Sequence, residues 1–135
     1  IPLGVYVYGR TELMVSEYCV INAVMTDKSK IHCPQPCLKH NYLLQDQKGE
    51  CFPVKTDEWC HMHILNSHVL DMKPYLPELL KTGIKRLCLN LKGIEEDAGN
   101  ICQSYLDILK GKELPPEPIG QNRQFTRGHF FRGVL

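Results

Sequence analysis

The chain has 135 residues, 43% of them hydrophobic, which suits a single domain with one modest core. A formal charge of +1 excludes a whole-chain basic field for nucleic acid and leaves only local patches. Seven cysteines, an odd number, exclude a fully paired disulfide framework and favour a reducing, cytoplasmic setting with a metal site.

Leu3–Tyr8 (LGVYVY) is β-branched and aromatic, a strand ending at Gly9. Its flank IPLGVYVYGR lacks an initiator methionine and the form of a secretory signal, so a processed or excised piece of a longer protein is expected. No apolar run reaches the ~20 residues of a membrane helix. Leu13, Met14 and Val15 form a second apolar run, and Thr26–Lys30 turns polar as a loop. In Cys33–Cys37 (CPQPC), Pro34 and Pro36 rule out a regular helix and stiffen the loop. Tyr42–Leu44 and Cys51–Val54 flank a turn with Gly49 and form a hairpin, whose Pro53 predicts an edge strand. His63–Leu65 is a short strand running to Asn66–Ser67.

Farther on, Pro77–Thr82 is a short helix stopped by Gly83. Lys85–Leu91 is a strand with Leu87, Leu89 and Leu91 on one face. Glu95–Lys110 carries the strongest helical periodicity, through Ile94, Ala98, Ile101, Cys102, Tyr105 and Leu109. Helix, strand, helix in this order is the pattern of a βα repeat with a parallel sheet. Residues 113–135 are a proline-rich linker (LPPEPIG) and a tail in which Phe125, Phe130 and Phe131 alternate with Arg123, Arg127, His129 and Arg132. Such a tail either stacks on RNA or packs its rings on the body with its arginines solvated, the reading we favour.

The chemistry concentrates between Ser16 and Ser67, which holds five of the seven cysteines. Cys19, Cys33, Cys37 and Cys60 are spaced C-x13-C-x3-C-x22-C, with His32, His40, His61 and His63 beside them. Four thiolates suit an iron–sulfur cluster, which tolerates irregular spacing. His61 and His63, two apart on an extended chain, would share a face and, with Cys33 or Cys60, offer a mixed Cys/His zinc site, within one chain or shared across a homodimer. The bland alternative is unligated buried thiols. Cys51, Cys88 and Cys102 fall within strand or helix patterns and are expected to pack.

Several motifs carry a family resemblance: GR-x-E-L-M-V-S-E-Y-C, C-P-x-P-C, F-P-V-x-T-D, LPELLKTGIKRLCLNL and TRGHFFRGV. In this order they resemble peptidase family U32, the collagenase-like peptidases. The resemblance implies an α/β fold, the C-terminal portion of a (βα)8 TIM-type barrel, here with an inserted β-hairpin and cysteine-rich loop. A complete barrel needs about 250 residues, so the remaining N-terminal part or a partner chain would complete it. The family is commonly labelled as peptidases, and its better-characterised members resemble oxygen-independent hydroxylases of RNA bases or a ubiquinone precursor. Those carry a [4Fe–4S] cluster, whose C-x12/13-C-x3-C ligands match Cys19, Cys33 and Cys37; Cys60 is the fourth candidate.

Glu17, His61 and His63 are candidate proton-transfer groups. Asn66 and Ser67, at a strand end, are candidates for substrate binding. Three readings follow: a cluster-bearing hydroxylase acting on RNA or a small aromatic substrate, a peptidase, or a zinc-bound structural or dimerisation module. The peptidase reading lacks an H-E-x-x-H or G-x-S-x-G motif.

Overall fold

The computed structural model describes residues 1–26, 32–112 and 125–128. They form two compact units, one from Ile1–Arg10 and the chain from His68 onward, the other from Thr11–Ser67. Among the described residues the fold is α/β with two four-stranded sheets, one in each unit, and neither sheet closes into a barrel.

In the first unit the strand order is β7-β1-β6-β8, from β1 (Gly4–Gly9), β6 (Val69–Asp71), β7 (Arg86–Asn90) and β8 (Phe125–Thr126). β1 runs parallel to β7 and β6 parallel to β8, but β1 and β6 are antiparallel. The expected parallel sheet is therefore mixed. Gly9 is required where it stands: at φ +120° a Cβ would meet the Asn90 carbonyl oxygen at 1.9 Å.

The core of this unit gathers Val7, Val69, Met72, Leu76, Leu79 and Ile101 with Tyr8 and Tyr105. Leu76, Val7 and Val69 are essentially inaccessible to water, and each such side chain stabilises by about 1.5–3 kcal/mol. Leu76 and Leu79 come from α2 (Leu76–Lys81), and Ile101 and Tyr105 from α3 (Ala98–Leu109). Leu87, Leu89 and Leu91 pack on this core as their alternation predicts, and so does Phe125 from the tail. The helix α3 starts three residues later than its acidic run suggested. Asp97 Oδ1 caps it by accepting from the Asn100 N–H at 2.9 Å, while Glu96 lies ahead of it and accepts from the Tyr8 hydroxyl at 2.8 Å.

Two buried tyrosines organise the polar part of this core. Tyr105 donates to the Val7 carbonyl at 2.7 Å and lies 2.9 Å from Asp71 Oδ1. Burial, then the Asp71 charge, pushes the Tyr105 phenol far above its ordinary value. The Lys73 ammonium pairs with Asp71 Oδ2 at 3.1 Å and lies over the Tyr8 and Tyr105 rings.

The second unit is an antiparallel sheet in the order β2-β5-β4-β3, from β2 (Glu12–Ser16), β3 (Tyr42–Gln45), β4 (Cys51–Thr56) and β5 (Met62–Leu65). The β3–β4 hairpin turns where Gly49 supplies φ +86° and Asp46 Oδ1 accepts from the N–H groups of Lys48 and Glu50. Pro53 is not on an edge strand, since β4 has neighbours on both sides. Pairing with β5 begins only at Val54, so the missing N–H of Pro53 falls outside that ladder. The short helix α1 (Val20–Met25) was not expected from the sequence. It sets Ile21 against Val54 and Met62, and these three form the nucleus of the unit. Cys51 and Cys88 are exposed, against the expectation that they pack, whereas Cys102 is half-buried. Of the tail, only residues 125–128 are described; the linker and the remaining aromatic and basic tail residues lie outside.

Candidate functional site

The β4–β5 turn is the best-organised polar site of the second unit. The Cys60 N–H donates to the Asp57 carbonyl at 3.1 Å, and the Asp57 N–H donates to the His61 carbonyl at 3.2 Å. Together these close a tight turn followed by a residue in the left-handed region, a position that glycine ordinarily fills. Cys60 fills it here, at φ +65°. A non-glycine residue in this conformation costs roughly 1–2 kcal/mol.

Asp57 is the hub of the turn. Its Oδ1 accepts from the N–H groups of Trp59 at 3.0 Å and His61 at 2.8 Å. Its Oδ2 lies 2.9 Å from Nδ1 of His61 and 3.3 Å from Nε2 of His63. Partial burial opposes its charge, but the hydrogen bonds from the His61 ring, the His61 backbone and the His63 ring outweigh it. The carboxyl is held at about 2, below its ordinary 3.8.

His63 Nδ1 meets Glu12 Oε1 across the β2–β5 pair. The register of that pair shifts between Glu12 and Met14, an irregularity of the kind that re-aims a side chain. Both ring nitrogens of His63 thus face carboxylates, and only an imidazolium donates from both. The arrangement can hold a proton between two acids, but it leaves His63 no nitrogen for a metal. His61 and His63 were expected from the sequence; Asp57 and Glu12 were not. An Asp opening a turn was a readable signal for the first. Nothing local could reveal Glu12, 51 residues from its partner.

The other candidates are placed as follows. Glu17 is exposed in the bend after β2, one step past the Ser16–Met62 pair. Asn66 is tied to Thr11, its N–H donating to the carbonyl at 2.8 Å and its amide to the hydroxyl at 3.3 Å, and Ser67 follows it in the bend after β5. Cys19 and Cys37 pack against the same nucleus of Ile21, Val54 and Met62. Cys19 is the N-cap of α1, its Sγ accepting from the Asn22 N–H at 3.4 Å. Cys37 lies in a single 3-10 turn, Pro36–Leu38, entered through Gln35 at φ +52°. Cys33 and Cys60 are exposed, and all seven cysteines are free thiols. Among the described residues no three His, Cys, Asp or Glu side chains converge as a metal-holding group.

The family model of peptidase family U32 matches residues 1–109. The chain belongs to peptidase family U32. No curated protein and no solved structure matches it. No helix among the described residues of this U32 chain is long and apolar enough to cross a membrane.

Proposed function

We propose that this U32 chain is the thiol-bearing part of an enzyme that holds a [4Fe–4S] cluster through Cys19, Cys33, Cys37 and Cys60. One observation carries the reading: Cys19 and Cys37, distant in sequence, pack against one small nucleus. The donor set fits a cluster in kind, with four thiols outside any disulfide and one sulfur already accepting a backbone N–H. Cys33 and Cys60 would complete the set from exposed loops. When bound, such a cluster supplies electron transfer.

The protein's own residues handle the proton. Asp57 orients both histidines, and His63, clamped by Glu12, is the group able to hold a proton beside the turn that carries Cys60. These roles suit oxygen-independent hydroxylation of RNA or a small aromatic substrate, in a reducing compartment such as the cytoplasm. The parallel β1–β7 pair followed by α3 supports a partial barrel and the antiparallel β1–β6 pair speaks against it; the reading needs the remaining strands from chain beyond this segment or from a partner subunit. Peptide hydrolysis is less well supported, because no Ser or Cys side chain among the described residues bonds to His61 or His63. A zinc module using both histidines meets the same difficulty at His63.

The test is iron, sulfide and zinc analysis of protein prepared without oxygen. Iron and sulfide should be present with broad absorbance near about 400 nm. Cys37→Ala should lose the metal, whereas Cys102→Ala should retain it. Equal metal in both variants refutes the ligand assignment, and stoichiometric zinc without sulfide transfers the site to the structural reading.

A further inference from the structure

Two buried polar atoms of the second unit are left over by its fold. Asn22 Oδ1 and Thr26 Oγ1 are shut off from water, and among the described residues neither has a hydrogen-bond partner. A buried oxygen without a partner is costly, and a group still to be bound is one reason for such an atom to persist. Both belong to α1, the helix whose N-cap is Cys19. We propose that Asn22 and Thr26 are positioning residues of the thiol site: the Thr26 hydroxyl holds the Asn22 amide, and that amide donates to the sulfur of a ligated Cys19. This role rests on the [4Fe–4S] reading above and adds to it what sets the reduction potential.

The spacing places the three residues in a row. Cys19, Asn22 and Thr26 stand at i, i+3 and i+7, the repeat of a single helix face. Within a helix each Cα–Cβ bond tilts toward the helix start, so Asn22 leans toward Cys19. Thr26, at the C-cap, stands one turn above Asn22. The backbone already joins the three in that order. The Thr26 N–H donates to the Asn22 carbonyl at 3.1 Å, and the Asn22 N–H donates to Cys19 Sγ at 3.4 Å. The same helix lies against the turn Pro36–Leu38 that carries Cys37.

Chemistry fixes the direction of each bond. A thiolate that ligates a metal has lost its proton and only accepts, so it calls for donors. The Asn22 amide has two donors on Nδ2 and an acceptor in Oδ1, and the Thr26 hydroxyl can donate to that acceptor. With Nδ2 on the sulfur and Oδ1 on the hydroxyl, both leftover oxygens gain a partner. Hydrogen bonds to the sulfurs of a cluster favour its more negative, reduced form and so raise its potential.

The test uses oxygen-free protein whose iron and sulfide are measured first. Asn22→Leu should keep both, while the reduced-to-oxidised ratio at a fixed applied potential falls about tenfold, which is 59 mV for one electron. Thr26→Val should shift the ratio the same way by less, and Thr26→Ser, which keeps the hydroxyl, should restore the wild-type value. A role in folding alone moves none of these potentials. In chelator-treated protein the sign reverses: Thr26→Val removes an orphaned hydroxyl and should raise Tm by about 3 °C. If Asn22→Leu fails to hold the cluster, the two Thr26 variants still decide the matter. Wild-type protein without iron and sulfide overturns this role together with the cluster reading. In a loaded wild type, an equally loaded Asn22→Leu with an unshifted potential overturns this role alone. So does a Thr26→Ser indistinguishable in potential from Thr26→Val, or a fall in the Tm of metal-free Thr26→Val.

Discussion

The two units of this chain are held together in different ways. Among the described residues, the first buries eight side chains in one core, locks two tyrosines into it by hydrogen bonds, and pairs its strands around them. The second, among its described residues, rests on a nucleus of three while leaving Leu13, Met14, Val15, Leu43 and Trp59 exposed. Yet the second unit holds five of the cysteines, both non-glycine residues described with positive φ, and the Asp57–His61–His63–Glu12 cluster. A module with so little core is expected to need another tie, and a bound metal is one of the few available. The lesson is a division of labour: apolar burial stabilises one unit, and ligand chemistry is expected to stabilise the other.

The strongest way to break that contrast is to remove the tie. Stripping metal from oxygen-free protein, or making Cys37→Ala, should accelerate amide hydrogen exchange across β2–β5 by more than about tenfold while β1 and β7 stay protected. Uniform exchange in both units would show that they are stabilised alike. The reciprocal experiment attacks the apolar core. Leu76→Ala should cost about 2–5 kcal/mol by chemical denaturation, with protection lost in the first unit.

A smaller effect of opposite sign is expected at the turn. Cys60→Gly removes left-handed strain and should raise stability of the metal-free protein by about 1 kcal/mol. In the loaded protein the same change should lower metal content, so one substitution separates strain from ligation. The smallest effect is in pH. The folded-state pKa of Asp57 is depressed, so its stabilising contribution is present above the ordinary 3.8 and is lost as pH falls toward about 2. Asp57→Asn should flatten the acid limb of a stability–pH curve in that window. An unchanged limb would show that the carboxylate does not feel its histidines.

How much of this was legible in the sequence follows from where each signal lies. Alternation in Arg86–Asn90 and periodicity in Ala98–Leu109 are local, and both elements form close to their expected bounds. The stretch singled out for its cysteines, from Ser16 to Ser67, nearly coincides with the second unit. Val20–Met25 escaped notice because a six-residue helix capped by a cysteine gives no usual start signal. β6 is three residues long and is defined by its partners β1 and β8 rather than by its own pattern. His61 and His63 were readable as a pair, but their carboxylates depend on a turn and on a cross-strand register, which composition does not encode.

The ends of the second unit lie close together: the Asn66 N–H donates to the Thr11 carbonyl at 2.8 Å, and on the other unit Gly9 stands opposite Leu70. Residues 11–67 therefore leave and rejoin the chain through neighbouring points, as an insert does in a host hairpin. Such a cassette can be lengthened, shortened or exchanged between homologues with the host ladder kept in register, which gives the chemistry room to diversify while the scaffold stays put.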